Sequence, residues 1–423
     1  MKIIIIGAGP GGYETAAEAA ARGIEVVLVS DGPLGGTCLN EGCIPTKALC
    51  AMEAPDQERK RAVIEQLAGG IKQLLRSPLI TLVHGKARLT GPHSIDVVPS
   101  DGGGTIHFEA DALIIATGSV SASLPIPGAG LAIDSRAMLE LTEVPRKLCI
   151  IGGGVIGLEF ASIYRKFGSE VTVLEFCPNI LPRFDTDLAK RLKASLVKRG
   201  IAIETSARVT EIDGSKVRWT KGEKSFETEA DCILMAVGRR PALSSLNLDD
   251  IGLEYSPRGI KVDADMQTNV PGVYAVGDIT GGMMLAHVAA AQGRKALDHI
   301  CGRSDGIDFS VVPAAVFTVP EAACVGRSEE ECEGIEIITG KANYRANGKA
   351  VASGEADGWC KVIADKASGR LLGVHILGAH AADLIHEAAA LIALGATIGQ
   401  ARDIIHAHPS LSEVLYAAFA ACK

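Results

Sequence analysis

Two stretches of this chain carry the same local pattern, and it restricts the possible fold more tightly than any other feature. The first opens with Ile3 to Ile6, an apolar run too short and too β-branched for a helix. Gly7-Ala8-Gly9-Pro10-Gly11-Gly12 follows, then an Ala-rich helix from about Tyr13 to Ala21 that stops at Gly23, then a strand at Val26 to Val29. The second stretch repeats this with Leu148 to Ile151, Gly152-Gly153-Gly154-Val155-Ile156-Gly157, a helix from about Leu158 to Phe167 ended by Gly168, and a strand at Val171 to Leu174. Each reads as strand, G-x-G-x-x-G turn, helix, strand. In such a unit the first glycine (Gly7, Gly152) permits a tight turn and the second (Gly9, Gly154) lets backbone approach a pyrophosphate. The third (Gly12, Gly157) lets helix pack on strand, and the helix N-terminus favours the negative charge.

The spacing repeats as well. Gly12 to Ser30 is 18 residues, and so is Gly157 to Glu175. An acidic residue there accepts a hydrogen bond from a ribose hydroxyl. Glu175 fits, and its charge would repel a 2′-phosphate, so it favours NAD. Ser30 does not fit, and the adjacent Asp31 is its substitute. Two dinucleotide sites in one chain point to electron transfer between a nicotinamide and a flavin, with FAD and NAD as cofactors. Ala116-Thr117-Gly118 and Ala275-Val276-Gly277-Asp278 each follow an apolar strand and place small residues where backbone can approach a cofactor. Asp278 could accept a hydrogen bond from a ribityl hydroxyl or serve as a helix N-cap.

Composition narrows the function classes. The chain has 423 residues, two or three domains at roughly 150 each. Apolar residues make up 47% and aromatics only 4%, so the cores are aliphatic. A net charge of −8 argues against binding nucleic acid or an anionic membrane. No apolar run approaches the roughly 18–20 residues that span a bilayer. With no export signal read at Met1 to Ile6, a cytoplasmic protein is expected.

Of eleven cysteines, nine are scattered singly and read as small buried hydrophobes, with Cys422 near the chain end a candidate for an exposed thiol. Cys38 and Cys43 differ: they share the segment Gly35-Gly36-Thr37-Cys38-Leu39-Asn40-Glu41-Gly42-Cys43-Ile44-Pro45-Thr46-Lys47. Neither a second pair nor a histidine lies at ligand spacing, so no metal site is expected. A labile pair in a reducing compartment is more often catalytic than structural. A helix starting near Leu39 would set its N-terminal dipole beside Cys38 and lower that thiol's pKa. Near the other end, His408 and Glu413 are five apart, and a turn at Pro409 would let them touch. A carboxylate so placed fixes the imidazole tautomer and raises its basicity.

With these residues placed, the chain resembles the pyridine nucleotide-disulfide oxidoreductase family, most closely its dihydrolipoamide dehydrogenase branch. Gly35 to Lys47 is similar to the family's redox-disulfide segment. Gly152 to Glu159, Ala236 to Pro241, Ala275 to Asp278, Val319 to Glu321 and His406 to Glu413 match further blocks in the same order. The resemblance implies an α/β fold of two Rossmann-like domains plus a C-terminal α+β dimerisation domain. The expected regions are an FAD domain over 1–144, an NAD domain over 145–243, a central region over 244–311 returning to the FAD domain, and a dimerisation domain over 312–423. Gly36, Thr37, Thr117, Gly118, Gly238, Gly277, Ala286 and His287 would join the cofactor-binding set.

The resemblance also implies roles. Cys43 faces the flavin and forms the thiolate–flavin charge-transfer contact, and Cys38 exchanges with substrate. Lys47 lies by the flavin ring, paired to Glu159. His408 is the general acid–base and Glu413 its orienting partner, both acting on the thiol pair of the other subunit of a homodimer. His406 is structural or a supporting residue. Val155, where some relatives carry Tyr, leaves the nicotinamide pocket open. The expected reaction oxidises protein-bound dihydrolipoamide and reduces NAD⁺, with lipoyl domains of 2-oxoacid dehydrogenase or glycine cleavage complexes as partners. The alternatives are another disulfide or metal-ion reductase of the family, or a mainly structural subunit of such a complex. Three departures stand out. Ser30 replaces the usual acid, and Gln292 stands where Glu is common. The segment between Lys47 and Gly85 is short, with Glu53 to Arg61 expected as an exposed loop.

Overall fold

The computed structural model describes residues 1–244 and 246–423. The first glycine unit folds as strand Lys2–Ile6, helix Pro10–Ala21 and strand Glu25–Ser30, with the strands parallel in the register Lys2↔Glu25. These strands sit inside a seven-stranded sheet. Its order is Val273–Ala275, Ala112–Ile115, Lys2–Ile6, Glu25–Ser30, Ile80–Gly91, Ser94–Pro99, Ile106–Glu109. The first five run parallel and the last two return antiparallel. Ile3, Ile5, Val26, Leu28 and Ile114 pack one face, and Ile4, Ile6, Val27, Val29 and Ile115 pack the other. A sheet covered on both sides reads as continuous rather than alternating apolar runs. The strand Val273–Ala275 comes from far down the chain, so the central region closes the edge of the sheet that the N-terminus begins.

The second unit builds a smaller parallel sheet, Ile201–Thr205, Glu170–Glu175, Lys147–Ile151, Cys232–Met235. A three-stranded antiparallel sheet, Arg208–Asp213, Lys216–Lys221 and Lys224–Glu229, lies beside it. The C-terminal part is a five-stranded antiparallel sheet, Ala314–Val316, Ala322–Gly326, Leu371–Leu377, Trp359–Asp365, Ile337–Asn343. Helices Ala381–Ala393 and Glu413–Ala421 pack on it through Ile385, Ala388, Leu415 and Phe419. The architecture is therefore α/β with two dinucleotide-type units and a C-terminal α+β region, as the sequence predicts. Among the described residues, no helix is long and apolar enough to cross a membrane.

The expected loop over Glu53 to Arg61 is half wrong. A helix runs from Gln57 to Leu74, started by Asp56, whose carboxylate accepts from the Arg59 amide at 2.9 Å. Lys60, which reads as a solvated residue, is fully buried. Its Nζ donates to the Leu139 carbonyl at 2.5 Å and to Glu140 at 2.7 Å. The helix thus ties the redox segment to the short helix Ser135–Leu139. Cys422 also departs from expectation: it is only 5% exposed and packs under Gly340 with the C-terminal core.

Helix Thr186–Lys198 of the second unit and the C-terminal sheet meet at a buried ionic cluster. Cys324, His375, Lys361 and Lys341 are direct cross-strand neighbours on four successive strands. Above them sits the N-terminus of helix Thr186–Lys198, capped by Asp185. Lys361, 1% exposed, contacts Asp185 at 2.6 Å, Glu329 at 2.9 Å and Asp187 at 3.4 Å. Breaking such a pair from one side leaves a buried charge uncompensated. Lys361→Met should therefore cost about 3 kcal/mol in a urea titration, and the further change Asp185→Asn should recover part of it. A loss under about 1 kcal/mol would mean that solvent screens the cluster.

Candidate active site

One continuous cleft of about 3220 Å³ runs along the mouths of both glycine units. The two turns are built alike. Gly7 and Gly152 have φ of +111° and +115°, and a Cβ on either would fall 2.2–2.3 Å from the carbonyl of Ala116 or Ala236. A Cβ on Gly12 or Gly157 would strike the carbonyl of Gly7 or Gly152 at 1.8 or 2.1 Å. These four glycines are demanded by backbone packing. Gly9 and Gly154 differ: a Cβ there meets nothing within 4 Å, because both face the cleft. Open backbone at the start of a helix of twelve residues is a cradle for a pyrophosphate. Gly36, Thr37, Thr117, Gly118, Gly238, Gly277, Asp278, Ala286 and His287 line the same cleft. The Thr117 hydroxyl is buried with no partner in the protein, a group awaiting a ligand atom. His287 is anchored, with Nε2 2.9 Å from the Pro313 carbonyl.

The residues at the ends of the second strands behave differently from each other. Glu175 is buried and lines the cleft. Its carboxylate accepts from the amides of Gly153 at 2.5 Å and Cys177 at 2.6 Å. The side chain is thereby fixed, and each oxygen keeps a lone pair for a further donor. Ser30 is buried and its hydroxyl is consumed by the Gly32 carbonyl at 2.7 Å, whereas Asp31 is exposed along the cleft. Gln292 uses its amide oxygen to accept from the Gly277 amide at 2.7 Å, so a neutral group holds that turn. Asp278 caps no helix. It accepts from the Ser119 hydroxyl at 2.5 Å.

Cys38 and Cys43 lie on two short helices, not one. Helix Gly36–Asn40 carries Cys38, and helix Cys43–Cys50 begins at Cys43. The helix N-terminus therefore favours the thiolate at Cys43, the opposite of the expectation for Cys38. The break between the helices falls at Gly42, whose φ of −148° and ψ of −110° lie outside the strand and helix regions and whose close approach to the Thr37 carbonyl fits a residue without a side chain. Both cysteines are free thiols here and both line the cleft. A hydrogen bond between the two thiols, helped by Lys47 against the cost of burial, lowers the Cys43 pKa to about 7. The same hydrogen bond, with burial, raises that of Cys38.

Lys47 and Glu159 are 112 residues apart in sequence and meet in a two-pronged pair at 3.0 and 2.9 Å. Glu159 is 3% exposed, also accepts from the Phe317 amide at 3.0 Å, and lines the cleft with Lys47. The Lys47 ammonium stands 4.5 Å from the centre of the Phe317 ring. His408 Nδ1 is 2.9 Å from Glu413 Oε1, and the Ser410 amide donates to the other carboxylate oxygen at 2.9 Å. The Ser410 amide and then His408 hold the Glu413 pKa below its usual value. This leaves Nε2 of a 78% exposed ring pointing away from its own partner. Neither residue lines this cleft. His406 is spent internally, bonded to Glu387 at 2.8 Å and to the Ile404 carbonyl at 3.0 Å. Sequence reasoning missed Ser119, which donates to Asp278, and Arg239, which donates to Ser119; no local signal shows that the three meet.

Comparison with known proteins agrees with this geometry. Residues 1–293 match the pyridine nucleotide-disulphide oxidoreductase family, and residues 312–419 match that family's dimerisation domain. Dihydrolipoyl dehydrogenase of Bacillus subtilis is 38% identical over 99% of this chain and 98% of its own length. Leghemoglobin reductase of Glycine max is also 38% identical, over 98% of this chain and 86% of its own. Among solved structures, the HOCl-induced flavoprotein disulfide reductase RclA of Escherichia coli superposes with a TM-score of 0.91 at 31% identity, covering 100% of both chains. The chain belongs to the pyridine nucleotide-disulphide oxidoreductase family, whose members use FAD and NAD(H), and the two cradles and the unpartnered Thr117 hydroxyl fit those cofactors.

Proposed function

We propose that this protein is an NAD-dependent dihydrolipoyl dehydrogenase, a homodimer that oxidises protein-bound dihydrolipoamide. The observation that carries the reading is the single cleft in which two nucleotide cradles meet one thiol pair of unequal acidity. FAD, when bound, supplies two-electron exchange between that pair and NAD⁺. The remaining steps belong to the chain. His408 of the partner subunit takes a proton from a substrate thiol at Nε2, with Glu413 holding Nδ1. The substrate thiolate attacks Cys38 of the oxidised pair and expels Cys43, because the thiol of lower pKa is the better leaving group. The second substrate thiol then attacks the first substrate sulfur of the mixed disulfide, breaking its bond to Cys38, and its proton passes to the departing Cys38 sulfur. The substrate leaves as a disulfide, and the enzyme pair holds two more electrons. Lys47, fixed by Glu159, keeps a cation beside Cys43 and favours its thiolate.

The pH dependence follows with a definite sign. Cys43 is depressed to about 7, so its anion prevails above that pH and is protonated below it. In the two-electron-reduced holoenzyme, the long-wavelength absorption of a thiolate beside the flavin should be strong at pH 8 and fade with a midpoint at pH about 7. A midpoint near 8.5, the ordinary thiol value, would remove the argument for Cys43 as leaving group.

Purified holoprotein with dihydrolipoamide and NAD⁺ should form NADH. NADP⁺ should be roughly 100-fold poorer, because Glu175 opposes a 2′-phosphate. The shortened segment after Lys47 leads us to expect comparable rates on free dihydrolipoamide and on a lipoyl domain. A second reading, reductase of another disulfide or of a metal ion, is favoured by the likeness to RclA, which has also been solved as a Cu(II) complex. Turnover of NADH with such an acceptor, without any dihydrolipoamide activity, would select it.

A further inference from the structure

Three glycine turns face the cleft: Gly118 from the first unit, Gly238 from the second and Gly277 from the central region. Each is followed at once by a polar residue, Ser119, Arg239 and Asp278. The three side chains converge. Arg239 Nε donates to Ser119 Oγ at 2.7 Å, and Arg239 Nη2 donates to the Ser119 carbonyl at 2.8 Å. Ser119 Oγ in turn donates to Asp278 Oδ2 at 2.5 Å, while Arg239 Nε stays 4.0 Å from that oxygen. Arginine can only donate and an ionised aspartate can only accept, so the serine hydroxyl accepts from Arg239 and gives its proton to the bond with Asp278. The backbones agree: Ser119–Ser121 and Arg239–Pro241 form a two-stranded antiparallel ribbon in the register Pro241↔Ser119. Ala122 N to Gly238 O and Ala242 N to Gly118 O, both 3.0 Å, close its ends on the two glycine turns.

We infer that Ser119 is a positioning residue: its hydroxyl locks the nicotinamide half of the protein to the flavin half and aims Asp278 into the cleft. This deepens the proposed function and rests on it. The two nucleotide units also meet through the Lys47–Glu159 pair and through Leu49 and Met52, which share a core with Phe160 and Tyr164, but those contacts involve the redox helix and not the turns at Gly118 and Gly238. A ribbon of three residue pairs is short, and an arginine–serine–aspartate relay pins it at the point where the two cofactors must approach. The relay touches neither thiol, so its loss bears on exchange with nicotinamide and not on exchange with the dithiol. The step affected, two-electron transfer from NADH to FAD, balances with the cofactors already assigned.

The test uses full-length holoenzyme with Ser119→Ala, and Ser119→Thr as the conservative rescue that keeps the hydroxyl. In anaerobic stopped flow, S119A should be reduced by NADH about tenfold more slowly than wild type, as loss of alignment predicts. Reduction by dihydrolipoamide should change by less than about twofold, and S119T should restore the NADH rate. A second readout needs no turnover: in the apoprotein, amide hydrogen exchange over 119–122 and 239–242 should rise about tenfold in S119A. Equal slowing by both reductants, or unchanged exchange in the ribbon, would overturn the inference. If wild type itself fails to react with NADH, the proposed function fails instead, and the exchange comparison still decides whether Ser119 is the tie.

Discussion

Cys43→Ser should leave a yellow, FAD-loaded dimer that oxidises no dihydrolipoamide, with kcat down by about 10⁴ or more. The size of the effect follows from the chemistry. A disulfide needs two sulfurs, and serine cannot form one, so no electrons can be stored on the protein. The cofactor should remain, because the cradle glycines, Thr117 and Lys47 are untouched. Volume is nearly conserved, and the new hydroxyl can take the thiol's place in the hydrogen bond to Cys38, so folding should survive. Absorbance spectra before and after gel filtration check flavin retention, and a coupled NADH assay checks activity. Loss of the long-wavelength band on reduction, with retention of FAD, assigns the band to Cys43. Residual dithiol oxidation above about 1% of wild type would mean that Cys43 is not part of the electron path.

His408→Gln should also lose dithiol oxidation, by about 10²–10⁴, the range for removal of a positioned acid–base. Its distinctive signature is expected in mixtures. His408 and Glu413 are bonded to each other but lie outside the cleft. If the partner supplies them, each site of a dimer combines one subunit's thiols with the other's imidazole. Co-expressed H408Q and C43S chains then form heterodimers with one intact site, from the thiols of the first and the imidazole of the second. Random assortment makes half the dimers mixed, each with one of two sites working, so activity should return to about a quarter of wild type. Direct reduction by NADH should be nearly unaffected in H408Q, because that step needs no substrate thiol. Mixtures that stay inactive would place His408 on its own subunit's chemistry or outside it.

Much of this was legible in the sequence, for a reason that can be named. Gly12 and Gly157 are required by collisions with Gly7 and Gly152, five residues away, so a local pattern suffices to reveal them, whereas Gly7 and Gly152 collide with the distant Ala116 and Ala236 and are legible only as members of the repeated pattern. The strands and helices around them fall within a few residues of their expected ends. Long-range pairs were less visible. Lys47–Glu159 came from family resemblance, since no spacing rule spans 112 residues. Ser119, Arg239 and Asp278 each follow a glycine turn, but nothing local shows that the turns converge. Lys60 lies in the segment expected as an exposed loop, and nothing local marks Lys361 as buried, since lysine rarely is; only the folded structure supplies their carboxylate and carbonyl partners. The helix Gln57–Leu74 was obscured by its charged first turn. Ile64, Ala68, Ile71 and Leu75, at helical spacing and packed on the first core, are the signal that could have shown it. The helix start expected near Leu39 is displaced by Gly42, which breaks the redox segment in two and hands the helix N-terminus to Cys43.

The proposed mechanism turns on one thiol pair that connects a dithiol substrate to a flavin and a nicotinamide in a single cleft. Anaerobic titration of the purified holoprotein, first with dihydrolipoamide and separately with NADH, tests it most directly. Either reductant, at about one equivalent per subunit, should produce the same long-wavelength band, and adding NAD⁺ to the dithiol-reduced protein should restore the oxidised spectrum with formation of NADH. A band with NADH but none with dihydrolipoamide, while another dithiol or a metal ion exchanges electrons readily, would contradict it.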